Sequence, residues 1–124
     1  MLQYTPKTME YFKSMKNMGR IENADGIGKV GNPVCGDVMW IYVKIDDGKI
    51  TDCKFETFGC VAAIATSSLA TDLVKGKTIE EALEVTNKRI VEILGGLPKE
   101  KLHCSLLAED GIKAAIEDYR SKHK

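Results

Sequence analysis

Residues 38–58 read VMWIYVKIDDGKITDCKFETF. VMWIYVKI (38–45) is β-branched and aromatic, Asp46-Asp47-Gly48 supplies a turn, and KITDCKFETF (49–58) alternates. The stretch therefore predicts a β-hairpin. In its second strand Ile50, Asp52, Lys54 and Glu56 are expected on one face, and Thr51, Cys53, Phe55 and Thr57 on the other. That parity places Cys53 beside Phe55, as a small buried hydrophobe outside any site.

Outward from the hairpin, the pattern changes to helix. VAAIATSSLATDLVKG after Gly59-Cys60 is small and apolar nearly all round, the mark of a central buried helix ended by Gly76. Thr78-Ile79-Glu80-Glu81 is a capping box that opens a second helix, expected to run through Leu94 to Gly95-Gly96. Ser105 is read as the cap of a last helix, with Leu106, Leu107, Ile112, Ala115, Ile116 and Tyr119 on its packed face and Gly111 weakening without ending it. Before the hairpin, Gly26, Gly28 and Gly31 mark a loop from Arg20 to Pro33, with a short edge strand around Lys29 and Val30. At the start, Thr5 caps, Pro6 suits a first turn, and Met9, Phe12 and Met15 form a Met-rich docking stripe that ends at Gly19. Residues 1–20 are thus a helical docking segment on a single domain spanning 1–124. The fold class is α+β: a short antiparallel sheet of about three strands packed against a helical C-terminal half.

Composition narrows the function. The chain has 124 residues, room for one modest core. Lys plus Arg and Asp plus Glu each total 18, a formal net charge of zero. A basic nucleic-acid surface and a polybasic membrane patch are both disfavoured. No signal segment and no run of 18 apolar residues occurs, so a cytoplasmic protein with no membrane partner is expected. In a reducing compartment the four cysteines should be thiols, which ranks metal binding or catalysis above disulfides.

Three of these cysteines lie where elements are expected to begin. Cys35 stands in GNPVCGDVM, with Gly31 and Gly36 leaving space around it. Cys60 opens the buried helix, and Cys104 precedes the expected cap of the last one. Thiolates near helix N-termini are stabilised by the macrodipole and by unpaired backbone N–H groups. Asp37 and His103 stand beside two of the three and add a carboxylate and an imidazole. The cysteines are 25 and 44 positions apart and form no CxxC pair. Spacing alone therefore leaves a shared metal site and three separate thiols level. Asp37 also reads as a turn residue and His103 as a surface histidine beside a cap, while His123 in the charged tail is solvated.

The stretches GNPVCGDVM, FETFGCVAAIATSSLATDLVKGKTIEEAL and KLHCSLLAEDGIKAAIEDY resemble the NifU N-terminal domain family, the IscU-type scaffolds of iron–sulfur cluster assembly. The resemblance runs from Tyr4 to about Lys122, with each of the three cysteines inside its own motif. It implies a SufE/NifU-like fold and a scaffold rather than an enzyme. Such a scaffold binds iron, takes sulfur from a cysteine desulfurase, assembles a cluster and passes it to apo-proteins. Matched residue by residue, Cys35, Cys60 and Cys104 are the implied ligands, with Asp37 and His103 as further candidates. The implied cargo is an iron–sulfur cluster, [2Fe–2S] ahead of [4Fe–4S], with zinc taken up by isolated protein and a homodimer able to form around the cluster. Three thiolates leave the cluster one short of its usual four, which suits a temporary carrier.

The sequence departs from the family pattern at two places. The segment that resembles LPPVK in relatives, gripped there by an Hsp70-type chaperone, here reads Leu97-Pro98-Lys99-Glu100-Lys101. Its apolar centre is charged, which argues against chaperone dependence. Cys53 is an extra thiol with no counterpart among the ligands. Two other classes compete with the scaffold: a zinc-binding structural protein using the same cysteines, and a persulfide-carrying sulfurtransferase with Cys104 as its nucleophile.

Overall fold

The computed structural model describes residues 5–14, 17–32, 37–58, 61–97 and 102–122, with backbone alone described at 32, 37, 58 and 102–105. Its elements are α1 (Pro6–Ser14), β1 (Gly26–Asn32), β2 (Asp37–Asp46), β3 (Lys49–Phe58), α2 (Val61–Val74), α3 (Ile79–Ala82), α4 (Asn87–Leu94) and α5 (Leu102–Lys122). The strands form an antiparallel sheet in the order β1-β2-β3. Helices α2 and α5 pack on the sheet, and α1 packs on α2. This is the expected α+β layering.

The hairpin forms where the sequence placed it, one residue longer at each end of its first strand. Its alternation, however, breaks once. Lys44 pairs with Asp52 but Ile45 with Ile50, which leaves Thr51 as an extra residue in β3. The bulge turns Ile50 round. It was expected beside Asp52 and Lys54, and it lies fully buried in the core with Cys53 and Phe55. The Thr51 hydroxyl donates to the Lys44 carbonyl across the bulge.

Helix α2 is buried on nearly every side, as its composition predicts. Ser67 and Thr71 fit there because their hydroxyls donate to the Ala63 and Ser67 carbonyls, each at 2.7 Å. After Gly76, at φ +80°, the capping box forms as read: Thr78 accepts from the Glu81 N–H and Glu81 from the Thr78 N–H. The helix it opens is only α3. Thr86 takes an extended backbone and caps α4 through the Arg89 N–H. The break sends Val85, Ile90 and Leu94 into the core.

Four further expectations change. β1 is a seven-residue strand rather than a short one, because pairing with β2 and packing of α5 stabilise a segment with no alternation of its own. α5 begins at Leu102, so Ser105 lies within its first turn instead of capping it. Leu106 is 41% exposed and off the packed face, while Leu107, Ile112, Ala115 and Ile116 are buried. In α1 the fully buried residue is Thr8, with Met9 and Phe12 half-buried. A short side chain lets α1 approach the small residues of α2, and the Thr8 hydroxyl is satisfied by Thr5 at 2.9 Å. Met15, the third member of that stripe, lies outside the described residues.

The segment after α1 reaches the open edge of β3. Gly19 N–H donates to the Phe55 carbonyl at 2.8 Å and Phe55 N–H to the Asn17 carbonyl at 2.9 Å. Residues 17–19 therefore cover part of a sheet edge that would otherwise offer unpaired backbone groups.

Candidate functional site

Strand register defines one end of the sheet. Asn32 pairs with Asp37, and Val38 with Phe58. The end of β1, the start of β2 and the end of β3 are therefore adjacent. Cys35 falls between Asn32 and Asp37, and Cys60 between Phe58 and Val61; both lie outside the described residues. Asp37, a ligand candidate that also reads as a turn residue, is the first residue of β2. Its backbone is held by pairing, not by a free loop.

Both long helices begin at this end. α2 starts at Val61, three positions after β3 stops. It runs back along the sheet to the other end, where Gly76 N–H donates to the Ile50 carbonyl at 2.7 Å and Ile50 N–H to the Lys77 carbonyl at 2.8 Å. α5 lies against β1 in the opposite sense: Gly26 faces Ala115 and Tyr119, and Gly28 faces Gly111 and Ala115. From Gly28 to Asn32 is about 13 Å of strand at ~3.3 Å per residue. The same length of helix is about nine residues, which leads from Gly111 back to Leu102. The first turn of α5, with His103 and Cys104 in its backbone, is thus level with the Asn32–Asp37 pair. The side chains of Asp37, His103 and Cys104 are outside what is described.

Met39 is fully buried and its sulfur accepts from the Ser67 hydroxyl at 3.1 Å. Thr57 donates to the Val38 carbonyl at 2.7 Å. These contacts fasten β2 to α2 and β3 within two residues of Asp37.

Cys53 is placed as its parity predicts. It pairs with Val43 and is fully buried. Burial, then the neighbouring Asp52, pushes its thiol pKa well above the ordinary range, so the group stays protonated and inert. Cys53→Ala is expected to leave metal and cluster binding unchanged while costing about 1 kcal/mol for the small cavity. Native alkylation followed by peptide mass spectrometry should leave Cys53 unlabelled, and rapid labelling would contradict its burial.

On the outer face Glu56, which pairs with Trp40, accepts from the Tyr42 hydroxyl at 2.5 Å and from Arg20 Nε at 2.8 Å. The Tyr42 hydrogen bond, then Arg20, lowers the Glu56 carboxyl pKa. Arg20 is largely exposed, so its ion pair with Glu56 adds little to stability. Among the described residues no group of three or more His, Cys, Asp and Glu side chains comes together, and no helix is long and apolar enough to cross a membrane.

Comparison with known proteins agrees with this architecture. The family model described as the NifU-like N terminal domain matches residues 3–124. The chain is 58% identical over 120 residues to iron–sulfur cluster assembly scaffold protein IscU 1 of Archaeoglobus fulgidus, covering 97% of this chain and 78% of that protein. It is 48% identical over 127 residues to the Escherichia coli K12 scaffold protein IscU, covering 99% and 98%. Among solved structures, a candidate iron–sulfur cluster assembly scaffold for the SUF system from Fervidobacterium islandicum superposes with a TM-score of 0.76 at 28% identity, over 91% of this chain and 96% of that one. The N-terminal NifU-like protein of Brucella abortus gives a TM-score of 0.77 at 24% identity, over 94% of each chain, and shares the fold. The chain belongs to the NifU-like N-terminal domain family.

Proposed function

We propose that this chain is a scaffold for iron–sulfur cluster assembly, a carrier rather than an enzyme, formed by residues 1–124 as one unit and working in the cytoplasm. It binds iron, receives sulfur from a cysteine desulfurase, and passes the finished cluster to apo-proteins. The observation that carries this reading is the common sheet end. The β1–β2 connection holding Cys35, the β3–α2 junction holding Cys60 and the first turn of α5 holding Cys104 all adjoin it. Near-full-length relatives named as cluster assembly scaffolds support the same reading.

In this proposal Cys35, Cys60 and Cys104 supply thiolates, and Asp37 or His103 completes the set. Thiolates suit iron bridged by sulfide, whereas a carboxylate is a harder and weaker partner for it. The cargo is [2Fe–2S] in preference to [4Fe–4S], and two copies can meet around it. The charged Lys99-Glu100-Lys101, outside the described residues, makes delivery independent of an Hsp70-type chaperone. Anaerobic addition of iron and sulfide to the reduced chain should produce the visible charge-transfer bands of a cluster. A colourless protein that holds only zinc would overturn the scaffold reading in favour of a structural zinc site.

Sulfur arrives on Cys104. Its thiolate attacks the outer sulfur of the desulfurase persulfide, a new S–S bond forms, the old one breaks, and the desulfurase thiolate departs. Cys104 sits in the first helical turn of α5, where the N-terminal dipole favours a thiolate. Trapping with a desulfurase and mapping by mass spectrometry should find the first persulfide on Cys104. Its appearance mainly on Cys35 or Cys60 would refute this step.

A further inference from the structure

Helix α5 lies unusually close to β1. A Cβ built on Gly28 would stand 2.4 Å from the Gly111 carbonyl oxygen and 2.5 Å from the Ala115 nitrogen. One on Gly26 would stand 2.2 Å from the Ala115 oxygen. The obstructing atoms are helix backbone, which cannot turn aside as a side-chain tip can. The glycines in β1 are therefore a seat that lets helix backbone rest on strand backbone.

A second contact fixes position along the seat. Asp118 Oδ2 accepts from the Ile27 backbone N–H at 2.9 Å, on the outer edge of β1. Lys122 holds the same oxygen at 2.9 Å. The Ile27 hydrogen bond, then Lys122, keeps the Asp118 carboxyl pKa below the usual carboxylate range, so it is charged at neutral pH. The seat limits how far α5 stands from the sheet, and the carboxylate limits how far it slides.

We infer that Gly28 and Asp118 are positioning residues for the metal-binding end of the molecule, acting through α5 on its first turn. Asp118 is 14 helical residues from Cys104, about 21 Å along the axis. A rigid helix transmits a displacement over that length undiminished. Sliding α5 by one residue would move the first turn by about 1.5 Å and rotate it by about 100°. Ligand sets tolerate about 0.5 Å. An alanine at Gly28 would lift the helix by about 1 Å before ordinary contact distance is restored. Either change spoils the place of Cys104 relative to the Asn32–Asp37 end while leaving every proposed ligand present. The inference rests on the cysteine set proposed above.

The test is anaerobic cobalt(II) titration of the reduced full-length chain, reading affinity and the thiolate-to-cobalt charge-transfer band, beside thermal melting. Gly28→Ala and Asp118→Ala should each weaken cobalt binding about tenfold or more and alter the band, as loss of supporting contacts does at metal sites. Asp118→Asn keeps an oxygen for the Ile27 N–H and should restore most of the affinity. Ile90→Val, a core change remote from the seat, serves as a control for lost stability alone. Should Gly28→Ala fail to fold, the Asp118 pair carries the test, since that side chain is on the surface. Cobalt binding by the Asp118→Ala chain equal to that of the control would overturn the positioning role and leave the scaffold standing. Absence of a thiolate–cobalt band in the unaltered chain would overturn the cysteine set, and the positioning role with it.

Discussion

Asp37→Ala should hold an assembled cluster about tenfold longer than the unaltered chain and transfer it correspondingly more slowly, a change of about 1.4 kcal/mol in the barrier to release. If the carboxylate is the fourth ligand, its bond to iron is the weakest of the set and the first an acceptor thiolate replaces. If it stands just outside the ligands, its negative charge opposes an anionic cluster and helps an incoming group to enter. Both arrangements give the same sign. The backbone argues that the fold survives the change. Asp37 pairs with Asn32, and the next residue pairs with Phe58 and accepts the Thr57 hydroxyl, none of which needs the carboxylate. Melting temperature should therefore stay nearly constant while the transfer rate to an apo-ferredoxin falls. Equal transfer rates for the two chains would remove Asp37 from the release step. A large drop in melting temperature with unchanged transfer would return it to a structural role.

Phe55→Ala should destabilise the fold by about 3–5 kcal/mol, lowering the melting temperature by about 10–20 °C. Phe55 is among the largest fully buried side chains and pairs across the sheet with Ile41. Ile41 in turn lies against Gly111 of α5, so a cavity here loosens the sheet-to-helix contact from within. The backbone of Phe55 also carries both hydrogen bonds that hold residues 17–19 on the edge of β3. Limited proteolysis near residue 20 should therefore quicken together with the loss of stability. Denaturant unfolding reads the main effect directly, and a cost below about 1 kcal/mol would mean that the site collapses around the missing ring. The neighbouring Cys53→Ala, two residues away on the same face, removes far less volume and gives the internal comparison.

Local signals were legible wherever a residue's neighbours in sequence are also its neighbours in space. The hairpin, the all-round apolar character of α2 and the capping box at Thr78 follow from periods of two and 3.6 and from side chains bonding three residues on. The buried face of Cys53 followed from parity. The three cysteine motifs marked the candidate site without its geometry. Their spacing could not place them together, because 25 and 44 intervening steps say nothing about strand register or helix direction.

Tertiary structure decided the rest. Gly26–Asn32 has no alternation, and becomes a strand because β2 offers partners and α5 covers it. The bulge at Thr51 appears when the two hairpin strands are matched against each other, and it alone brings Ile50 inside. The helix read as continuous from Ile79 breaks after Ala82, since a straight path would not bring Val85, Ile90 and Leu94 to the core together. The Gly28 seat and the Asp118–Ile27 bond join residues 83 to 91 positions apart. Sequence by itself determined the hairpin, the buried helix, the capping box and the burial of Cys53, since these depend on short-range sterics and burial patterns. The common sheet end of the candidate site, and the registers that create it, came from long-range pairing, where the free energy belongs to the contact between segments and to neither segment alone.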